Sequence, residues 1–232
     1  MERCLSEVES SARCRVLVLK SVAGEFCRGM DLGEIIQCPV ESLRERLTAF
    51  ARCLARLKTL RACVISLVDG EALGGGVGLA AAADCTIATS RAVFSLPEAV
   101  AGLFPAIIMP LLYERMTRQK VHWMAISGEK LGAPEARQAG LVDHLVSDRE
   151  EMERKMNQIV RQVLRVHPGS VETIKRCPSS QDVNPISQAM ESGAGQLAEA
   201  LSDKHIRNAI QAFLGGESFP WQEKPESRQT SP

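Results

Sequence analysis

The first half of the chain contains the segment Asp69-Gly70-Glu71-Ala72-Leu73-Gly74-Gly75-Gly76-Val77-Gly78-Leu79-Ala80. An apolar run precedes it at 64–68 and an alanine-rich run follows at 79–83, which predicts a strand, a glycine turn and the start of a buried helix. Because glycine has no Cβ, a ligand could touch the backbone at the glycine triplet. The free N–H groups of the helix after the triplet would suit an anion or a developing oxyanion. A tight turn between two core elements would also explain the glycines.

The composition is that of an ordinary folded domain of 232 residues, with 45% hydrophobic and 24% charged residues. Lys plus Arg and Asp plus Glu both number 28, so the net charge is zero and a broad nucleic-acid-binding face is not expected. No apolar run has the length of a membrane span, and the N-terminus lacks the apolar core of a signal peptide. The sequence therefore predicts a cytoplasmic protein with neither a nucleic-acid nor a membrane partner.

Eight cysteines are scattered along the chain without a CxxC pair. Most have apolar neighbours, as Cys63 and Cys85 do. This pattern favours reduced thiols in the core over a disulfide framework, and no metal site is predicted.

Predicted strands alternate with predicted helices over most of the chain. The strands are expected at 15–19, 62–68, 85–88, 92–95 and 141–146, and the helices at 1–12, 30–36, 41–59, 107–128 and 133–140. Pro110 is expected to start or kink the helix around it, and further helices are expected at 149–166, 169–176 and 186–214. We therefore expect an α/β core over 1–146, a helical region over 147–221 and a disordered tail over 222–232.

Four blocks resemble, in the same order, the crotonase (enoyl-CoA hydratase/isomerase) superfamily. Residues 26–32 resemble the F-x-x-G-x-D-L loop, and residues 70–80 resemble the G-x-A-x-G-G-G turn. Residues 94–105 resemble the F-x-x-P-E-x-x-x-G-x-x-P segment, and residues 128–142 resemble the G-x-x-L-x-A-x-E-A-x-x-x-G-L-V block. The resemblance implies a crotonase-like ββα spiral core with two nearly perpendicular sheets, and a C-terminal helical region that assembles trimers or dimers of trimers.

A narrower likeness, at 95–98, 102–106, Pro110, 118–122 and 218–221, is to the dehydratases of polyketide β-branching cassettes. In that family the enzyme dehydrates 3-hydroxy-3-methylglutaryl on an acyl carrier protein to 3-methylglutaconyl. The resemblance implies a thioester substrate and an acyl-carrier-protein partner. It implies no cofactor beyond the phosphopantetheine of the carrier protein, or of coenzyme A (CoA), that holds the substrate.

Two other functions stay open on the sequence alone. One is a CoA-thioester hydratase or isomerase, for example for methylglutaconyl-CoA. The other is a catalytically silent scaffold with the crotonase fold. A decarboxylase of the same cassettes is less similar to the quoted blocks.

Two features depart from the family pattern. The chain begins near the end of the family's first helix, so the opening β-hairpin is absent; either a late start site or a dispensable hairpin would explain this. The family's hydratases place one catalytic glutamate two residues after the glycine triplet, where this chain has Gly78. Only the second family glutamate is present, as Glu98.

The resemblance implies that the amides of Met30 and Gly75 form an oxyanion hole and that Glu98 is the acid–base residue. Leu96 and Val100 flank Glu98, and a carboxylate among apolar side chains has a raised pKa that suits proton transfer near neutral pH. The local sequence taken alone favours a solvated glutamate in a first helical turn. The resemblance reverses that choice.

Further substrate contacts are expected at Arg28, Gly74, Gly78, Phe104, Tyr113 and His122. A glutaryl carboxylate needs a cation or a hydrogen-bond donor, and the candidates are Tyr113, Arg115, Arg118, Lys120, His122 and Trp123. For any one of these, a solvated basic helix face is the simpler explanation. Lysines flank the F-x-x-G-x-D loop in relatives that use CoA, whereas this chain has Gly24 and Gly33 there, which favours a carrier-protein substrate.

Overall fold

The computed structural model describes residues 1–21, 24–176 and 183–222. The strands are β1 (Val16–Lys20), β2 (Cys63–Val68), β3 (Glu71–Leu73), β4 (Cys85–Thr89), β5 (Val93–Ser95), β6 (Leu131–Gly132) and β7 (His144–Val146). The helices are α1 (Glu2–Ser10), α2 (Leu32–Gln37), α3 (Val40–Thr59), α4 (Gly75–Ala82), α5 (Met109–Arg115), α6 (Arg118–Ser127), α7 (Ala133–Gln138), α8 (Arg149–Val163), α9 (Pro168–Arg176), α10 (Val183–Ala200) and α11 (Lys204–Leu214), with a 3₁₀ helix at Pro97–Ala101. The predicted α/β class is confirmed.

Two small sheets form the core of the fold. The first has four parallel strands in the order β1-β2-β4-β7. The second has the order β3-β5-β6, in which β3 and β5 are parallel and β5 and β6 are antiparallel. Parallel neighbours require crossover connections, and helices provide most of them.

Strand β2 is buried on both faces, as its unbroken apolar sequence predicts. Successive side chains point to opposite faces of a strand, so Ile65 and Leu67 pack with Met152 of α8. Val64 and Val68 face the main core on the other side. The strand therefore holds its carboxyl end, and the glycine segment after it, in one position.

Helix α3 has apolar residues spaced along one face, and this face is buried. Leu47 and Leu54 belong to the main core together with Met190 and Ala194 of α10, which packs along α3. The C-terminal helices are therefore docked on the core.

The predicted helix over 107–128 is two helices, α5 and α6. The break lies at Met116–Thr117 and not at Pro110, which occupies the first turn of α5. The Thr117 hydroxyl caps α6 by accepting a hydrogen bond from Lys120 N at 3.3 Å. The proline starts a helix here, and the threonine cap starts the next one.

The predicted helix over 186–214 is also divided, into α10 and α11. The Asp203 carboxylate accepts hydrogen bonds from the amides of His205 and Ile206 and so starts α11. Strands β3 and β6 were not predicted from the sequence, because strands of two or three residues show no periodicity. The predicted strand over 141–146 is shortened to β7.

The cysteines only partly follow their prediction. The seven within the described residues are free thiols, but Cys53 is the only buried one among them, and Cys4 is exposed. Cys177 and residues 223–232 of the predicted tail lie outside the described residues. In the ranges that are described, no helix combines the length and apolar character needed to cross a membrane.

Candidate active site

A glycine corner joins β3 to α4. Gly74 has φ +51° and ψ −116°, a backbone conformation that residues with a Cβ rarely adopt. The sequence predicted a helix that starts after the glycine triplet. Helix α4 instead begins at Gly75, within the triplet. The Gly74 amide donates to Ser95 O at 2.9 Å, which ties the corner to the end of β5.

The loop after β1 crosses directly over this corner. Leu73 N donates to Cys27 O at 2.9 Å, and a Cβ on Gly76 would lie only 2.1 Å from the same oxygen. A Cβ on Gly29 would lie 3.5 Å from Gly75 N. The glycines therefore allow two backbone segments to meet at van der Waals distance.

Two amides at this crossing are free of protein acceptors. Neither Met30 N nor Gly75 N donates a hydrogen bond within the described part of the chain. Gly75 is the first residue of α4, so its N–H group lies at the positive end of that helix. Both residues line the same cavity. A pair of such donors is what a developing oxyanion requires.

Glu98 lies on the 3₁₀ helix and faces the same corner. Its Oε2 atom is buried and has no hydrogen-bond partner, and its Oε1 atom would be 2.8 Å from a Cβ on Gly74. Burial raises the pKa of this carboxyl from 4.5 to about 7. The solvated-glutamate alternative is therefore wrong, and the side chain is suited to exchange protons near neutral pH.

A cavity of about 240 Å³ connects these groups. Glycine and apolar side chains form most of its wall, and Glu98 is the only acidic residue among the described residues that line it. Arg28 is the only cation there, and its guanidinium also pairs with Glu71 at 3.1 Å. The predicted residues Arg28, Met30, Gly74, Gly75 and Glu98 are thus brought together.

The sequence did not predict that two aromatic side chains line this cavity. Phe213 and Phe219 both line it, and their rings stack with centroids 4.5 Å apart. Trp221 stacks on Phe219 and donates from Nε1 to Val100 O at 3.0 Å, next to the 3₁₀ helix. The one available signal was the aromatic segment 218–221, and it does not indicate where the segment packs.

The structure does not bring three of the predicted substrate contacts to this cavity. Phe104 is 38% exposed, and Tyr113 forms a 2.8 Å hydrogen bond with His122. None of these three lines the Glu98 cavity.

The predicted basic face is mostly neutralised. Arg115 pairs with Asp143 at 2.5 Å, Lys120 pairs with Glu129 at 2.6 Å, and Arg118 lies over the Tyr113 ring. Trp123 Nε1 also donates to Glu129, at 2.9 Å. Across the described ranges, no cluster of three or more His, Cys, Asp or Glu side chains is arranged as a metal site.

Gly78 likewise lies away from the Glu98 cavity. It is buried in α4, and a Cβ added there would be 2.3 Å from Ile108 Cγ2 and 3.6 Å from Leu54 Cδ1. Ile108 is itself 3% exposed. The Ile108 side chain therefore occupies the space that the Cβ atom of a second catalytic glutamate would need.

We expect Gly78→Glu to lower the free energy of unfolding by more than about 3 kcal/mol, because overpacking a core costs about 1–3 kcal/mol and burying a carboxyl group without a partner adds to that cost. In Gly78→Glu/Ile108→Ala, the shortened side chain leaves room, so the combined loss should be smaller than the sum of the two single losses. Urea unfolding of the four proteins measures this coupling. Strict additivity would show that Ile108 does not exclude a side chain at position 78.

The similarity to known proteins agrees with this geometry. The enoyl-CoA hydratase/isomerase family matches residues 1–224. The chain belongs to this family. Family membership implies an acyl-thioester substrate, and the crotonase fold expected from the sequence is confirmed.

Individual relatives are distant in sequence but similar in structure. The chain is 29% identical, over 97% of its length and 86% of the relative's, to the bacillaene synthase dehydratase PksH of Bacillus subtilis. The crystal structure of B. subtilis PksH superposes with a TM-score of 0.82, covering 94% of this chain and 86% of that one at 28% identity. An enoyl-CoA hydratase from Mycobacterium avium superposes with a TM-score of 0.80, covering 95% and 84% at 28% identity.

Proposed function

We propose that this member of the enoyl-CoA hydratase/isomerase family dehydrates a 3-hydroxy-3-methylglutaryl thioester on an acyl carrier protein, producing 3-methylglutaconyl in polyketide β-branching. The observation that supports this most is that the carboxylate of Glu98, whose Oε2 atom is buried without a partner, lines one cavity with the two free amides of Met30 and Gly75. The similarity to a relative described as a bacillaene synthase dehydratase also supports dehydration.

Proton removal is the first step of the proposed reaction. The thioester oxygen accepts hydrogen bonds from Met30 N and Gly75 N, and Glu98 takes a proton from C2 of the acyl group. The electron pair of that C–H bond moves onto the thioester carbonyl and leaves an enolate. One such amide donor stabilises the developing oxyanion by roughly 3–4 kcal/mol in comparable sites.

Loss of the hydroxyl group completes the reaction. The enolate electrons form the C2–C3 double bond as the bond from C3 to the tertiary hydroxyl breaks. The protonated Glu98 returns its proton to the departing hydroxide, so one water leaves and the carboxylate is regenerated. A single carboxylate can thus serve both steps because its pKa lies near 7.

The same observations argue against the scaffold alternative. A catalytically silent scaffold would have no need to bury an unpartnered carboxylate, since such a group destabilises the fold. A CoA-thioester hydratase or isomerase would use the same amides, and it differs from the dehydratase in its substrate and product. The trimeric or hexameric assembly and the cytoplasmic location stay predictions.

Mass spectrometry of the carrier protein tests the proposal. Incubation of 3-hydroxy-3-methylglutaryl carrier protein with the enzyme should produce an acyl group lighter by one water. If the mass of the acyl carrier protein stays unchanged while the enzyme hydrates an enoyl-CoA, the hydratase alternative would be favoured instead. Turnover of neither substrate would favour the scaffold.

We expect the enzyme to prefer the carrier-protein thioester over the same acyl group on free CoA, by roughly tenfold or more in kcat/KM, which is about 1.4 kcal/mol of binding. Glycines stand at positions 24 and 33, where the resemblance implies lysines in relatives that use CoA, so the nucleotide of CoA would lose two cations. Arg115 and Lys120 each form an ion pair with an acidic side chain. Arg28 is the cation that lines the Glu98 cavity. Equal kcat/KM on the two substrates would contradict this preference.

A further inference from the structure

We propose that Arg46 is the specificity-determining residue for the acyl group and binds the carboxylate at its far end. This inference rests on the proposed function, because it concerns the substrate of the same site. It assigns the carboxylate to a cavity that none of the six carboxylate-binding candidates named from the sequence lines.

A second cavity of about 390 Å³ adjoins the oxyanion amides. It shares Gly29, Met30 and Gly75 with the Glu98 cavity, so the two cavities meet at the position of the thioester carbonyl. A thioester carbonyl has two substituents, the sulfur arm and the acyl chain. The two cavities can therefore receive the two ends of the substrate, with the thioester carbonyl at the shared residues and Glu98 on the side of its own cavity.

One face of α3 forms the long wall of the second cavity. Leu43, Arg46, Leu47 and Phe50 line it, and the helical repeat places these residues on the same side. Phe50 lies against the oxyanion site, since its Cζ atom would be 3.2 Å from a Cβ on Gly75. Arg46 is one turn away, about 6 Å along the helix. That offset suits an acyl chain with a carboxylate at its fifth carbon.

The wall between Phe50 and Arg46 is apolar. Ile35, Leu43 and Leu47 are each no more than 4% exposed. A methyl-branched hydrocarbon segment would be buried here, and a charge would not be satisfied until it reached Arg46. The cavity is thus apolar along its α3 wall, and its charged lining residues are the guanidinium of Arg46 and the carboxylates of Asp31 and Glu34.

The charges around Arg46 define how it would bind. Its Nη2 atom donates to Glu34 Oε2 at 2.7 Å, and a guanidinium has further N–H groups available for a second carboxylate. Asp31 also lines the cavity, but its carboxylate accepts hydrogen bonds from the amides of Gly33 and Glu34. Glu34 and the substrate would therefore share one guanidinium. Removing the charge of Glu34 should strengthen binding of a carboxylate.

Arg28 is the competing cation and serves as the matched control. It lines the Glu98 cavity and not the α3 cavity, and it pairs with Glu71 at 3.1 Å. Both arginines are more than half exposed and each has one glutamate partner. The two differ mainly in which cavity they border, so Arg28→Gln and Arg46→Gln remove equivalent groups from opposite ends of the substrate.

The test compares 3-hydroxy-3-methylglutaryl pantetheine with its carboxamide analogue, which has the same shape and no charge. For Arg46→Gln we expect kcat/KM on the charged substrate to fall by roughly 10- to 100-fold, the usual range for a hydrogen bond to a charged group, with little change on the carboxamide. Glu34→Gln should raise the charged-to-neutral ratio. Arg28→Gln should change kcat/KM by the same factor on the charged substrate and on the carboxamide.

One result would overturn the assignment, namely a charged-to-neutral ratio of kcat/KM in Arg46→Gln that stays at the wild-type value. An equal fall of kcat/KM on both substrates would then indicate a structural role, which the melting temperature of the variant checks. A change of the ratio in Arg28→Gln instead would assign the carboxylate to Arg28. Failure of the proposed function has a different signature, in which wild-type enzyme dehydrates neither substrate. Calorimetric binding of unreactive 3-methylglutaryl pantetheine, compared between wild type and Arg46→Gln, then tests Arg46 alone.

Discussion

Glu98→Gln is expected to lower kcat by roughly 10²–10⁴-fold, the usual contribution of one general acid–base group. The amide keeps the size of the side chain but can neither accept nor return the C2 proton. Glu98 is the only acidic side chain that lines its cavity within the described residues, so no neighbouring carboxylate can replace it. Mass spectrometry of the carrier protein under single-turnover conditions measures the loss.

The pH dependence gives this result a second readout. Dehydration requires the deprotonated carboxylate, so wild-type kcat/KM should fall about tenfold per pH unit below the pKa of about 7 and level off above it. Residual activity of Glu98→Gln should lack this step. Glu217→Gln, at an exposed position outside the cavity, is the matched control and should behave as wild type. A Glu98→Gln enzyme with wild-type turnover would eliminate the proposed mechanism.

Glu98→Gln is also expected to stabilise the protein above pH 7, by up to about 3 kcal/mol. Burial raises the pKa of Glu98 from 4.5 to about 7 in the folded state, and each pKa unit corresponds to about 1.4 kcal/mol. Between pH 4.5 and 7 the unfolded chain releases this proton first, so the wild-type folded state loses stability as the pH rises. Glutamine does not titrate and avoids that loss.

Urea unfolding at a series of pH values checks this prediction. The difference in free energy of unfolding between Glu98→Gln and wild type should change little below pH 4.5, grow between 4.5 and 7, and stay constant above 7. A difference that shrinks as the pH rises would show that the folded protein stabilises the charged carboxylate. The raised pKa would then be wrong.

Local patterns in the sequence were sufficient to predict the strand and the glycine turn that support the site. The apolar run 64–68 became the doubly buried strand β2, because an unbroken β-branched sequence is stable only where both faces are covered. The glycine triplet became a turn into a helix, as predicted, because a positive φ at Gly74 is a local property of glycine. The close approach of residues 27–29 to this turn joins distant parts of the chain and was not predicted.

Helix boundaries were less predictable. The breaks before α6 and α11 depend on the side chains of Thr117 and Asp203, each of which caps a new helix. Apolar periodicity continues through both breaks, so it favours one long helix over two. The capping residues were visible in the sequence, but the periodic signal outweighed them.

The sequence by itself determined the family of the chain, the glycine corner and the identity of Glu98 as the remaining carboxylate. Tertiary structure alone decided the burial of its Oε2 atom and its raised pKa. The Oε2 atom of Glu98 is buried without a partner in a cavity that Phe213 and Phe219, more than a hundred residues away in the chain, also line. Ile108 fills the space beside Gly78, and Arg46 reaches the second cavity across the fold. Burial and pKa depend on which distant segments meet, and residue order along the chain does not report those contacts.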